Sequence, residues 1–168
     1  MKAMRITVLA IVLVSGCSPA HFDNRPPYEP PPLNDLSNAR VRGTLRSETI
    51  SGWSWRASTS LSAVDQKPYV LQRTSIYEYE DYVAVMPGKR EIEAVWSVAH
   101  NFGRVALKAM LEPGRSYRLE FERGSLEPLV WLIDEGTLAV VSGKVRGKRC
   151  VSLKLIGAWG CPPEHEAP

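Results

Sequence analysis

Apolar and polar residues alternate one by one along "YRLEFE", placing Tyr117, Leu119 and Phe121 on one side and Arg118, Glu120 and Glu122 on the other. A two-residue period is the pattern of a strand buried on one face. "REIEAVWSVA" repeats it with Ile92, Ala94, Trp96 and Val98, and "RVALKAML" with Val105, Leu107, Ala109 and Leu111. "ARVRGTLR" is a weaker strand, with Val41 and Leu45 together and Gly43 between them. A helix across "VWSVAHNFGRVALKAMLE" is the competing reading, but Gly103 interrupts it and the alternation on either side is cleaner than any 3.6-residue stripe.

Turn chemistry punctuates these runs. "MPGK" (Met86–Lys89) and "EPGR" (Glu112–Arg115) each put proline where a fixed φ suits a turn and glycine where a positive φ is tolerated. "YVAVMPGKREIEAVW" and "LKAMLEPGRSYRLEF" share one layout, which predicts two similar hairpins. "WLIDEGTLAVV" predicts another around Asp134, Glu135 and Gly136. The expected fold is all-β: an antiparallel β-sandwich of one domain over residues 39–160, with a polar tail over 161–168.

The N-terminus follows a different logic. Lys2 and Arg5 precede the apolar segment Ile6–Val14, and Ser15 and Gly16 lead to Cys17. This is the layout of a secretory signal, and it is shorter than the roughly 20 apolar residues that a bilayer-spanning helix needs. "VSGC" resembles the lipobox of bacterial lipoproteins. That resemblance implies a leader over residues 1–16, cleavage before Cys17 and acylation of Cys17, a covalent lipid and no other cofactor. Two or three acyl chains hold a protein stably on a membrane, each buried methylene contributing about 0.8 kcal/mol. Ser18 stands where an aspartate would retain such a protein in the inner membrane, so the resemblance implies the outer membrane, facing the periplasm. "SPAHFDNRPPYEPPPLNDLSN", ending at Asn38, is proline-rich and predicts a disordered or extended tether over residues 17–38.

Charge and cysteine then acquire meaning. The chain carries 21 lysines and arginines against 18 aspartates and glutamates, and two of the basic residues, Lys2 and Arg5, belong to the leader. A nearly neutral mature chain offers no argument for a nucleic-acid partner. With Cys17 acylated, Cys150 and Cys161 are left in an oxidising compartment, where they are expected to pair; so short a loop contributes about 3 kcal/mol. Their spacing is neither a C-x-x-C motif nor a zinc pattern.

The order of "AVDQKP", "VAVMPGKREIEAVW", "LEPGRSYRLEF" and "WLIDEGT" resembles small envelope lipoproteins with a PEGA-like or transthyretin-like sandwich. An immunoglobulin-like arrangement is the neighbouring alternative. That family's pattern carries no catalytic set to transfer, and here Gln66 follows Asp65 where glycine is common.

No zinc-binding histidine pair, G-x-S-x-G elbow or S-x-x-K set occurs. His100 is expected in a surface loop. Glu78, Glu80 and Asp81, set among tyrosines, read as a solvated strand face or a weak cation site rather than the paired carboxylates of a glycosidase. Trp53 and Trp55 would share one side of a strand and are candidate stacking residues for a ligand, core packing being the alternative. Lys144, Arg146, Lys148 and Arg149 form the one basic cluster, a candidate surface for anionic lipid or glycan or else a solvated hairpin tip that guards a sheet edge.

The expectation is a non-enzymatic binding or structural module of the cell envelope, with no metal site. Its partners are the membrane through the lipid, and an envelope protein or an anionic lipid or glycan. The alternatives are an accessory subunit of a secretion or assembly machine and, less favoured, an envelope glycan hydrolase.

Overall fold

The computed structural model describes residues 25–69, 81–153 and 158–160. Two packed sheets form an all-β sandwich, and no helix occurs among the described residues. The chain switches repeatedly between layers. β1 (Ala39–Arg42) lies in the first sheet, and past Gly43 the chain crosses into the second as β2 (Thr44–Ile50), β3 (Trp53–Val64) and β4 (Lys67–Pro68). β5 (Val83–Val85) returns to the first sheet, whereas β6 (Gly88–Val98) and β7 (Asn101–Leu111) form a long hairpin in the second. β8 (Ser116–Phe121) and β9 (Leu129–Asp134) are paired in the first sheet. The last pieces are β10 (Val145–Arg146) on the first sheet, β11 (Lys148–Arg149) on the second, and a separate pair, β12 (Val151–Leu153) with β13 (Ala158–Gly160). The orders are β10-β9-β8-β1-β5 and β11-β7-β6-β3-β2.

The period-two faces form the core. Ile92, Ala94, Trp96 and Val98 of β6, Val105, Leu107, Ala109 and Leu111 of β7, and Tyr117, Leu119 and Phe121 of β8 are all buried. The helical reading of "VWSVAHNFGRVALKAMLE" is excluded: Val98 pairs with Asn101 across a two-residue turn.

Both Pro-Gly pairs are placed differently from expectation. They join β5 to β6 and β7 to β8, and each of these pairs is split between the two sheets. They are arches across the sandwich, not hairpins, because a sharp reversal serves stacked strands as well as hydrogen-bonded ones. At the second arch the Arg115 N–H donates to the Glu112 carbonyl across 3.4 Å while Gly114 sits at φ 72°, the arrangement that Pro113-Gly114 favours. The Tyr117 hydroxyl accepts from the Glu112 N–H at 2.8 Å, fastening the arch in the manner of a tyrosine corner.

"ARVRGTLR" also departs from a single strand. Val41 is buried in the first sheet, but beyond Gly43 the inward position belongs to Thr44, and Leu45 is only half-buried. β1 runs parallel to β8, Val41 opposite Tyr117, so the first sheet is mixed rather than wholly antiparallel. Because β1 leaves at Gly43, β8 loses its neighbour on that side beyond Arg118. The Leu119 carbonyl instead accepts from the hydroxyls of Thr44 (2.7 Å) and Thr59 (3.2 Å), and the Phe121 carbonyl from the Arg46 guanidinium at 2.5 Å. Buried carbonyls need partners, and two threonines and an arginine supply them. The Arg46 guanidinium also lies 3.8 Å from the centre of the Phe121 ring.

"WLIDEGTLAVV" does turn back on itself, but its return leg makes one isolated bridge, Ile133 with Val140, instead of a strand. Asp134 closes the turn, its Oδ1 accepting from the N–H groups of Gly136 (2.8 Å) and Thr137 (2.9 Å). Those bonds, led by that from Thr137, hold its carboxyl below the usual aspartate range.

The later part of the proline-rich segment is part of the domain. Tyr28 packs against the core; its N–H donates to the Pro68 carbonyl at 2.8 Å and its hydroxyl to the Ala84 carbonyl at 3.1 Å. Asn38 is buried, its amide donating to the Pro32 carbonyl and its own carbonyl accepting from Gly114. Domain contacts thus begin about ten residues before the expected boundary at 39; a lone aromatic among prolines provides the apolar anchor that a free spacer lacks.

Candidate functional site

The sandwich has two unlike ends. At one, Tyr28, the Asp65-Gln66 turn and the Met86–Gly88 arch meet. A groove of about 560 Å³ opens there beside Pro27, Tyr28, Val64, Lys67, Met86 and Arg90. One of its charges is engaged in holding the joint: the Arg90 guanidinium donates to the carbonyls of Met86 and Pro87 and to Asp65 Oδ2, at 2.8–3.1 Å. Asp65 and Gln66 both have positive φ, 49° and 63°, so Gln66 stands in a conformation that glycine favours.

At the other end, β3 overhangs. It meets β6 only from Ala57, opposite Val98, so Trp53–Arg56 pair with β2 alone. The two strands are joined through Ser51 and Gly52, both at positive φ, in the manner of a type I′ hairpin. Trp53 and Trp55 continue the inward row of Ala57, Thr59 and Leu61, but past the point where the first sheet covers it. Trp53 is 72% exposed, and the half-buried Trp55 ring meets the exposed His100 ring edge-on with centroids 4.9 Å apart. The Glu48 carboxylate ties this overhang to the turn after β8, accepting from the Gly124 N–H at 3.1 Å and from Arg46.

The basic cluster lies towards the same end. β11 pairs with β7 at Gly103 and Arg104, close to the His100 turn, and β10 pairs with the start of β9. The segment is therefore not a hairpin tip but a lace across the open side of the sandwich, bound to one sheet and then to the other. Between the two strands, Gly147 presses on the buried Trp96 indole, whose Nε1 has no hydrogen-bond partner among the described residues. Lys144 Nζ sits 4.4 Å from the centre of the Trp131 ring, Arg146 donates to the Glu127 carbonyl at 2.8 Å, and Arg149 pairs with the Glu127 carboxylate at 2.8 Å. The exposed Lys148 ammonium has no partner among the described residues. Short edge strands carrying lysine and arginine resist edge-to-edge pairing, and β10 and β11 are the terminal strands of their two sheets.

A second electrostatic feature was not legible in the sequence. Arg42 donates to Glu135 at 2.6 Å, Tyr82 donates to the same carboxylate, and Arg118 lies 3.8 Å from it; Arg118 also pairs with Glu120, which meets Arg46. Burial pushes the Glu135 carboxyl up, but the hydrogen bonds from Arg42 and Tyr82 outweigh it and leave the group below the usual glutamate range. Burial and the Glu135 charge push the Tyr82 hydroxyl up. Nothing in the alternation along each strand marks these residues as partners; their register across three strands does.

Cys17, Cys161, Glu78 and Glu80 lie outside the described residues. Cys150 is buried, its N–H donating to the Phe102 carbonyl at 2.9 Å. Among the described residues no group of three or more histidine, cysteine, aspartate or glutamate side chains is arranged to hold a metal ion. Comparison with known protein families, with curated proteins and with solved structures finds no match for this chain.

Proposed function

We propose that the chain is a lipoprotein anchored through Cys17 in the outer membrane, facing the periplasm, and that its sandwich is a non-enzymatic binding module of the cell envelope. The lipobox-like "VSGC" supports the anchor. The sandwich itself agrees with the PEGA-like or transthyretin-like resemblance without selecting it. The observation that carries the reading is the separation of the two ends. The chain coming from Cys17 is fastened at the Tyr28 end, whereas the exposed aromatic hairpin projects from the opposite end. β3 spans twelve residues between them, roughly 36 Å at about 3.3 Å per residue. One end is suited to tethering and the other is free to engage a ligand.

The test is fractionation of cells expressing the native chain and Cys17→Ser, with palmitate labelling. Label and outer-membrane recovery that both vanish in Cys17→Ser support the reading; an unlabelled native chain, or a variant that stays in the membrane, refutes the anchor. Crosslinking in the same cells tests the accessory-subunit alternative, which requires one dominant protein partner.

A further inference from the structure

The connections that meet at the Tyr28 end are joined backbone to backbone. Gly88 pairs with Leu111, so the two Pro-Gly arches spring from neighbouring strands, and the Asp65 N–H donates to the Glu91 carbonyl at 2.8 Å, which brings the β3–β4 turn beside the first of them. At the second arch the Gly114 N–H donates to the Asn38 carbonyl at 3.2 Å and the Glu135 N–H to the Ser116 carbonyl at 2.9 Å. The loop before β1 and the turn after β9 therefore close on the same place. On or beside these connections stand Leu36, Met86, Met110 and Leu138, four large apolar side chains that are 50–75% exposed. Scattered apolar side chains are ordinary on a surface, whereas a group on adjoining turns marks an interaction site.

We infer that this end rests on the lipid surface, its four apolar side chains entering the interface and the tryptophan hairpin directed away; the inference deepens the lipoprotein reading above and rests on it. Reach and charge select lipid as the occupant. The chain from Cys17 meets the domain at Tyr28, eleven residues on, so the joint stands no further than roughly 36 Å from the anchor at about 3.3 Å per residue. Within that reach the tether supplies a local concentration at which a shallow contact of a few apolar side chains holds. The carboxylates of the same turns are already engaged: Asp65 by Arg90 at 2.8 Å, Glu112 by Arg115 at 3.4 Å and Glu135 by Arg42 at 2.6 Å. The exposed Lys67 and Lys89, beside the first arch and the β3–β4 turn, have no ion-pair partner among the described residues. Their ammonium groups are left to meet headgroup phosphates.

The test holds the chain from residue 17, carrying Cys17→Ser, on nanodiscs of phosphatidylethanolamine and phosphatidylglycerol through an N-terminal hexahistidine and a zinc-chelating lipid. The tag replaces the acyl chains, so the outcome does not depend on acylation, which the fractionation of Cys17→Ser judges separately. Beyond residue 16 the sequence has only two methionines, Met86 and Met110, so carbon-13 methyl labelling reports on this end directly. With a lipid spin-labelled near the headgroup, both methyl signals should lose most of their intensity. The Trp53 indole N–H, roughly 36 Å away along β3 at about 3.3 Å per residue, should keep its own. Leu36→Ser combined with Leu138→Ser should lower the ratio of docked to free chain about tenfold, with the thermal melt unchanged because both side chains are exposed. Methyl signals that survive the spin label, loss of the Trp53 signal instead, or indifference to the double substitution overturns the inference. Methyl shifts that depend on protein concentration without lipid would assign the surface to a second copy of the chain and overturn it too.

Discussion

A methyl group on residue 147 would lie 1.9 Å from Trp96 Nε1, a separation that no rotamer change relieves because the indole is fully buried. Gly147→Ala should therefore lower stability by about 3 kcal/mol, the upper part of the overpacking range. Gly143, in the same basic segment, has open space where its Cβ would stand, and Gly143→Ala should stay within about 0.5 kcal/mol of the native chain. Urea denaturation of the two variants checks the contrast; equal midpoints would show that the lace is not seated on Trp96. The sequence makes "GKVRGKRC" conspicuous for its charges, yet its most constrained residue is an uncharged one. That constraint comes from Trp96, on a strand remote in sequence, and no local pattern encodes it. Trp53 and Trp55 show the same limit. Their common side follows from a two-residue spacing, whereas their position past the edge of the opposing sheet depends on where β6 ends.

Elements were legible wherever one face is buried, because alternation of apolar residues is a direct consequence of the pleat. What alternation omits is the neighbour. It does not distinguish a hairpin from an arch, so both Pro-Gly reversals read as hairpins, and it does not announce that a strand changes sheets at Gly43. The consequence of that crossing is measurable at β8, where Thr44 and Thr59 share the orphaned Leu119 carbonyl. Thr44→Val alone should cost about 1 kcal/mol because Thr59 remains, while the double variant with Thr59→Val leaves a buried acceptor unpaired and should cost more than the sum of the singles. Strict additivity in a double-mutant cycle would refute the shared role. The ion pairs that cross β1, β8 and the loop after β9 make a second prediction. Glu135 titrates below 4.5, the ordinary glutamate value, so between the folded and unfolded values the unfolded chain binds more protons. Its contribution is complete above about pH 4.5 and declines as pH falls through the folded value. Glu135→Gln should lower stability at pH 7 and flatten its dependence between pH 5 and 3, about where a glutamate titrates; an unchanged slope would assign the acid sensitivity to other groups.

At the scale of the molecule, the two ends of the sandwich give the chain a direction, and Tyr28 sets it. Tyr28, bonded through its N–H to Pro68 and through its hydroxyl to Ala84, determines where the approach from the N-terminus meets the domain, and hence which end is left free. Composition alone suggests a uniform proline-rich spacer, since proline stiffens a chain whether or not it is docked. Only the side chain inside that run decides the matter. Burying a large apolar side chain contributes about 1.5–3 kcal/mol, so Tyr28→Ala should raise the undocked population of residues 26–33 by tenfold or more. Tyr28→Phe, which keeps the ring and loses only the bond to Ala84, should raise it less. Where opening is fast relative to cutting, cleavage follows that population. Chymotrypsin should then cut after Leu33 about tenfold faster in Tyr28→Ala than in the native chain, with Tyr28→Phe between them and the melt of the remaining sandwich close to native. Equal cleavage in all three would mean that the segment is held from its Asn38 side instead, and the orientation assigned to the two ends would lose its support.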